Sequence, residues 1–104
     1  MDGSWIALDT GLPGPGEMRA IQVEGTSVLL CNVAGSLYAI ENRCPHAGIP
    51  LAGGRLRGCI LECPMHGGKL DVRDGKPAAP PIRTPAPQFA VRAADAGLEI
   101  CLGA

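Results

Sequence analysis

The chain has 104 residues, with 15 Gly, 10 Pro, 5 Cys, 2 His and a formal net charge of −1. One domain fits this length, and the Gly and Pro load argues against a helical bundle, since these are the poorest helix formers. The near-neutral charge leaves no basic surplus for phosphates, and no apolar run approaches the ~20 residues that cross a bilayer. The N-terminal residues carry no basic and apolar leader pattern. The expectation is a soluble cytoplasmic monomer without nucleic-acid or membrane partners.

In chain order, Met18–Val23 reads as a strand turned by Glu24-Gly25 into an apolar strand, Ser27–Val33. Ala34-Gly35 turns that strand into Ser36–Ile40, which makes an antiparallel meander. Arg55–Arg57 turns at Gly58 into Cys59–Glu62. Phe89–Ala93 and Leu98–Leu102 pair across Asp95-Ala96-Gly97. No long window carries a helical period. Residues 42–87 are dense in Gly and Pro, with Pro77, Pro80, Pro81, Pro85 and Pro87 close together. Lying between strand-like flanks, this stretch reads as ordered loops and not as a linker.

Both histidines fall in two short motifs, Cys44-Pro45-His46-Ala47-Gly48 and Cys63-Pro64-Met65-His66-Gly67. The pattern is C-x-H, a 16-residue spacer, then C-x-x-H. Thiolate is a soft ligand and imidazole an intermediate one, so this set suits zinc or an iron–sulfur centre. Zinc sites usually open with a close pair of Cys. One Cys and one His per loop suits a dinuclear cluster, with Cys44 and Cys63 on one iron and His46 and His66 on the other. A structural zinc module is the remaining alternative. Cys31, Cys59 and Cys101 read as small buried hydrophobes in apolar strands. Trp5, Tyr38 and Phe89 read as core residues.

The motif pair resembles that of the Rieske ferredoxins. Asn42, Arg43, Leu51, Gly54, Leu70-Asp71, Gly75 and Pro80-Pro81 continue the resemblance in register, over most of residues 3–102. It implies an all-β Rieske fold: an antiparallel β-sandwich or barrel base with a small, loop-rich cluster-binding subdomain. The base strands are expected over about 3–41 and 82–102 of a single 1–104 domain, with cluster-binding loops over about 42–81. Pro80 and Pro81 are read as a third loop covering the cluster, and Leu51 and Leu70 as residues that shield it. Ile49 and Met65 stand where other branches of the family have a disulfide pair. Gly68 and Leu70 stand where those branches have Ser and Tyr hydrogen-bond donors to the cluster. Without these donors the potential is expected towards the lower end of the roughly −150 to +300 mV Rieske range.

The resemblance also implies a role. No histidine is left over for a mononuclear iron, and no G-x-G-x-x-G unit is present for a flavin or nicotinamide. The chain is therefore expected to be an electron carrier and not an enzyme. It would hold one 2Fe-2S cluster through Cys44, His46, Cys63 and His66. Electrons would pass from an NAD(P)H-dependent flavoprotein reductase to a terminal aromatic ring-hydroxylating oxygenase. Contacts would be transient, at a His46/His66 tip collared by Pro45, Ala47, Met65 and Gly67. The alternative is a small Rieske subunit of a larger reductase, such as a nitrite reductase.

Overall fold

The computed structural model describes residues 5–65, 67–94 and 97–102. Ten strands run in chain order: β1 (Ile6–Ala7), β2 (Met18–Val23), β3 (Thr26–Val33), β4 (Ser36–Glu41), β5 (Arg55–Arg57), β6 (Ile60–Glu62), β7 (Lys69–Asp71), β8 (Pro77–Ala79), β9 (Gln88–Ala94) and β10 (Gly97–Cys101). They form two antiparallel sheets, a six-stranded base ordered β1-β10-β9-β4-β3-β2 and a four-stranded sheet ordered β5-β6-β7-β8. The one helical element among the described residues is a 3₁₀ turn, Leu51–Gly53. No helix is long and apolar enough to cross a membrane.

The meander forms where its turns demand. Glu24 and Gly25 both have positive φ, as do Ala34 and Gly35. Two-residue turns of this hand match the right-handed twist of the strands they join. The apolar run of β3 has a direct cause, since this strand is buried on both faces. Leu29 and Cys31 enter one core cluster, and Val28 and Leu30 enter the other. The second cluster is closed by Leu98 and Ile100 of β10 and lies within the base. The first joins the base to the four-stranded sheet through Leu61, Leu70, Val72 and Ile82.

Asn42 couples the two parts. Its side-chain NH₂ donates to Ser27 Oγ at 3.1 Å, while its Oδ1 accepts the backbone N–H groups of Leu51 and Ala52, both at 2.9 Å. One buried amide thus ties the end of β4 to β3 and to the 3₁₀ turn.

Several expectations are corrected here. The stretch expected as loops contains β7, β8 and the 3₁₀ turn as well as β5 and β6. Their three-residue lengths fall below what a periodicity reading can detect. Cys59 lies in the β5–β6 turn, partly exposed, with its thiol 3.7 Å from Asp71 Oδ2, so it is not a strand core residue. Trp5 is 37% exposed and packs its ring under the Arg92 guanidinium at 3.8 Å, so it is not in the core either. Asp95 and Ala96 of the expected β9–β10 turn lie outside the described residues.

Two outcomes follow from this packing. Asn42→Ala leaves two inward N–H groups without an acceptor and is expected to cost roughly 2–5 kcal/mol. Asn42→Asp keeps both acceptor bonds and recovers part of the loss, and urea unfolding reads the difference. Burial pushes the Cys31 thiol up to about 12. The folded chain thus holds this proton after the unfolded chain has released it. Cys31 supports the fold fully below the unfolded pKa, and that support is lost as pH rises towards the folded value. Between about pH 9 and 12 the wild type is expected to lose stability relative to Cys31→Ala, by about 1.4 kcal/mol per pH unit. Parallel stability–pH curves for the two chains would contradict it.

Candidate metal centre

Two loops build the site, and they are closed in the same way. In the first, the Cys44 N–H donates to the Ile49 carbonyl at 2.7 Å. In the second, the Cys63 N–H donates to the Gly68 carbonyl, also at 2.7 Å. Each bond spans five residues. Each loop also has a glycine four residues after its cysteine in the left-handed region, Gly48 at φ +73 and Gly67 at φ +69. An L side chain is strained there, so both motifs need glycine at that place. The two motifs offset their histidines differently, yet they share one frame.

The first loop leaves the end of β4, and the second joins β6 to β7. The first core cluster packs them together, with Cys44 a close neighbour of Cys63 in it. Both cysteines are free and buried, at 1% and 4% exposure. Leu51 and Leu70, expected to shield the centre, are fully buried in the same cluster.

Each sulfur receives a backbone N–H from its own loop. Ala47 N–H points to Cys44 Sγ at 3.5 Å, and the Met65 backbone serves Cys63. Burial pushes the Cys63 thiol up, the Met65 backbone bond lowers it, and the neighbouring Cys44 raises it again. Two thiolates in contact repel, and a dry surrounding strengthens the repulsion. A cationic core between them reverses both penalties. The donor set therefore fits an iron–sulfur group: two soft sulfurs in an apolar wall, each already met by an N–H.

His46 is exposed on the outer side of the first loop. The fourth expected ligand, His66, lies outside the described residues. Among the described residues no group of three or more His, Cys, Asp or Glu converges to hold a metal ion. The geometry thus brings together Cys44 and Cys63, and it leaves His46 at the solvent side of the loop. Met65 is 46% exposed, with Pro45 and Ala47 half-buried.

Gly68 has a role the sequence reading missed. A Cβ there would stand 2.8 Å from Ile82 Cγ1 and 3.2 Å from Pro81 Cδ. The Pro80–Ile82 segment therefore closes directly on the second loop. Gly68 is thus the residue that lets this third segment approach. A Gly-Gly pair directly after the motif was the available signal.

A family model, the Rieske [2Fe-2S] domain, matches residues 4–90. The ferredoxin component of the naphthalene 1,2-dioxygenase system of Pseudomonas putida is 37% identical over 67 residues, covering 64% of each chain. The alignment thus spans slightly less than two thirds of that relative. The ferredoxin component of biphenyl 2,3-dioxygenase of Rhodococcus jostii is 37% identical over 78 residues, covering 75% of this chain and 73% of the relative. A chain from the solved complex of reduced oxygenase and oxidised ferredoxin in carbazole 1,9a-dioxygenase superposes with a TM-score of 0.86 at 28% identity. That match covers 97% of this chain and 95% of the other.

Gly68→Ala tests the third segment. Overpacking against Ile82 and Pro81 is expected to cost roughly 1–3 kcal/mol and to lower the iron retained per chain. An unchanged unfolding midpoint with full iron content would show that the segment yields freely.

Proposed function

The chain belongs to the Rieske [2Fe-2S] domain family, whose cofactor is one such cluster, and we propose that it is a standalone one-electron carrier holding that cluster through Cys44, His46, Cys63 and His66. When bound, the cluster supplies reversible uptake of one electron. The chain's own residues do the rest. Cys44 and Cys63 anchor the buried end, and Leu51, Leu70 and Ile82 keep water from it. The Ala47 and Met65 N–H groups offset negative charge at the sulfurs. In this reading His46 and His66 hold the cluster's outer side; His46 is exposed, and Pro45, Ala47 and Met65 offer a small apolar contact surface suited to brief encounters.

In this reading the electron comes from an NAD(P)H-dependent flavoprotein reductase and goes to a terminal aromatic ring-hydroxylating oxygenase, in the cytoplasm. The relatives' names, ferredoxin components of naphthalene and biphenyl dioxygenases, support the carrier role. The observation that carries the reading is the matched closure of the two loops, which sets two buried cysteines side by side in one core cluster. The likeness to a solved ferredoxin of carbazole 1,9a-dioxygenase, at 33% identity, supports the same carrier role.

Anaerobic reconstitution with iron and sulfide tests it. The expected product is red-brown, binds iron and sulfide in equal amounts, and gives an EPR signal on reduction. Cys44→Ser and Cys63→Ser each lose the colour while remaining folded by circular dichroism. A colourless, EPR-silent protein that binds only zinc would overturn the reading. Because Gly68 and Leu70 offer no side-chain donor, voltammetry is expected to place the potential low in the roughly −150 to +300 mV family range. A value in its upper third would contradict that.

A further inference from the structure

The net charge of −1 conceals a division along the molecule. Residues 42–83 hold Arg43, Arg55, Arg57, Lys69, Arg73, Lys76 and Arg83 against Glu62, Asp71 and Asp74, a net of +4. The remaining residues hold Arg19 and Arg92 against seven carboxylates, a net of −5. The two basic groups of the base are engaged locally. Arg92 pairs with Glu99 at 2.8 Å, and Arg19 donates to Thr10 Oγ1 and the Gly11 carbonyl. On the cluster side Arg73 pairs with Asp71. Among the described residues, Arg43, Arg55, Arg57, Lys69 and Arg83 enter no ion pair.

Three of these cations share one face for a stereochemical reason. In the four-stranded sheet Arg55 stands opposite Glu62 and Glu62 opposite Lys69, while Arg57 stands opposite Ile60. The row between them, Leu56, Leu61 and Leu70, turns inward to the core. Alternation then puts Arg55, Arg57 and Lys69 outward. Arg55 and Arg57 also border a hollow of about 490 Å³ that extends to Cys63 and Pro64. Glu62 lies on the same face between Arg55 and Lys69 and lines the same hollow, so three cations meet one carboxylate and the face, continuous with the second cysteine loop, keeps a net positive charge.

We propose that the Arg55–Arg57–Lys69 face is a docking surface for a redox partner whose own centre is ringed by Asp and Glu, and that the acidic base turns this face towards it. The inference rests on the carrier reading above. Among the described residues, the segment 42–83 carries a net +4 and the rest, with Arg19 and Arg92 against Asp9, Glu17, Glu24, Glu41 and Glu99, a net −3, so charge is divided between the two sheets. A partner of negative surface potential attracts the cluster end and repels the base, which selects productive encounters. A face that must release its partner after one electron suits exposed cations, because such pairs are weak and screened by salt.

The test has two arms, both on the reconstituted protein. In the first, reduced protein is oxidised in a stopped-flow instrument by ferricyanide, an anion, or by tris(phenanthroline)cobalt(III), a cation. One electron leaves the protein and yields ferrocyanide or the cobalt(II) complex. Ferricyanide oxidation is expected to slow as salt rises and the cobalt reaction to quicken. Arg55→Gln/Arg57→Gln is expected to slow the ferricyanide reaction at low salt by roughly tenfold. Salt-independent rates with both oxidants, or an unaltered variant, would overturn the proposal.

In the second arm, NMR follows binding of poly-L-glutamate, poly-L-lysine and a DNA duplex. Shifts at the Arg55, Arg57 and Lys69 amides with poly-L-glutamate alone support the acidic partner, and the variant should lose them. Preference for poly-L-lysine overturns the charge argument. Any duplex DNA bound at these amides would assign the face to nucleic acid instead. Failure of the carrier reading would appear separately, as absence of the reduced cluster's EPR signal, and would leave the poly-L-glutamate arm intact.

Discussion

The site depends on one hydrogen bond made twice, from a cysteine N–H to the carbonyl five residues on, at Cys44–Ile49 and Cys63–Gly68. Each bond closes a loop tightly enough to need a left-handed glycine, and each leaves its cysteine pointing into the same apolar wall. Closing the loops fixes the direction of the thiols, and burial then prevents them from drifting to solvent. A metal centre assembled from loops normally risks imprecision, because loops are the mobile parts of a fold. Here the two closures and the apolar wall supply the rigidity that regular secondary structure would otherwise give.

The rest of the fold works to keep those loops facing each other. β3 serves two cores at once, so the base cannot shift against the four-stranded sheet without disturbing both. Asn42 transmits the position of β3 to the 3₁₀ turn through one buried amide with all its polar atoms engaged. Pro80–Ile82 presses on Gly68 from the other side. Packing density makes such an arrangement stiff, since displacement of one wall leaves voids that cost cavity energy. Stiffness also suits a carrier, because small rearrangement on gaining or losing an electron keeps transfer fast.

Much of this was legible in the sequence. The meander could be read from alternation and from Glu24-Gly25 and Ala34-Gly35, because local sterics set such turns. The motif pair pointed to the metal because Cys and His at fixed short spacing have few other uses. What escaped the reading was mainly long-range. β7 and β8 are too short to show a period, and they exist because β6 offers β7 a neighbour and β7 in turn offers one to β8. Trp5 looked like core by its type, yet Arg92 and Glu99 hold it at the surface. Cys59 looked like an apolar strand residue, yet Gly58 puts it in a turn beside Asp71. Gly68 read as a missing donor, whereas its constraint comes from Ile82 across the loop. For the short strands, Trp5 and Gly68 the deciding partner lies elsewhere along the chain, whereas at Cys59 the local turn at Gly58 outweighs a hydrophobic preference.

The central claim is a mixed ligand set, with two sulfurs at the buried end and two histidine nitrogens at the solvent end. The most direct measurement is pulsed EPR on the reduced, reconstituted protein, with histidine labelled with nitrogen-15. The account predicts strong couplings to two nitrogens, with one of them lost when either His46 or His66 is replaced by Cys. Absence of any directly bound nitrogen in the wild type, as four thiolate ligands would give, contradicts it.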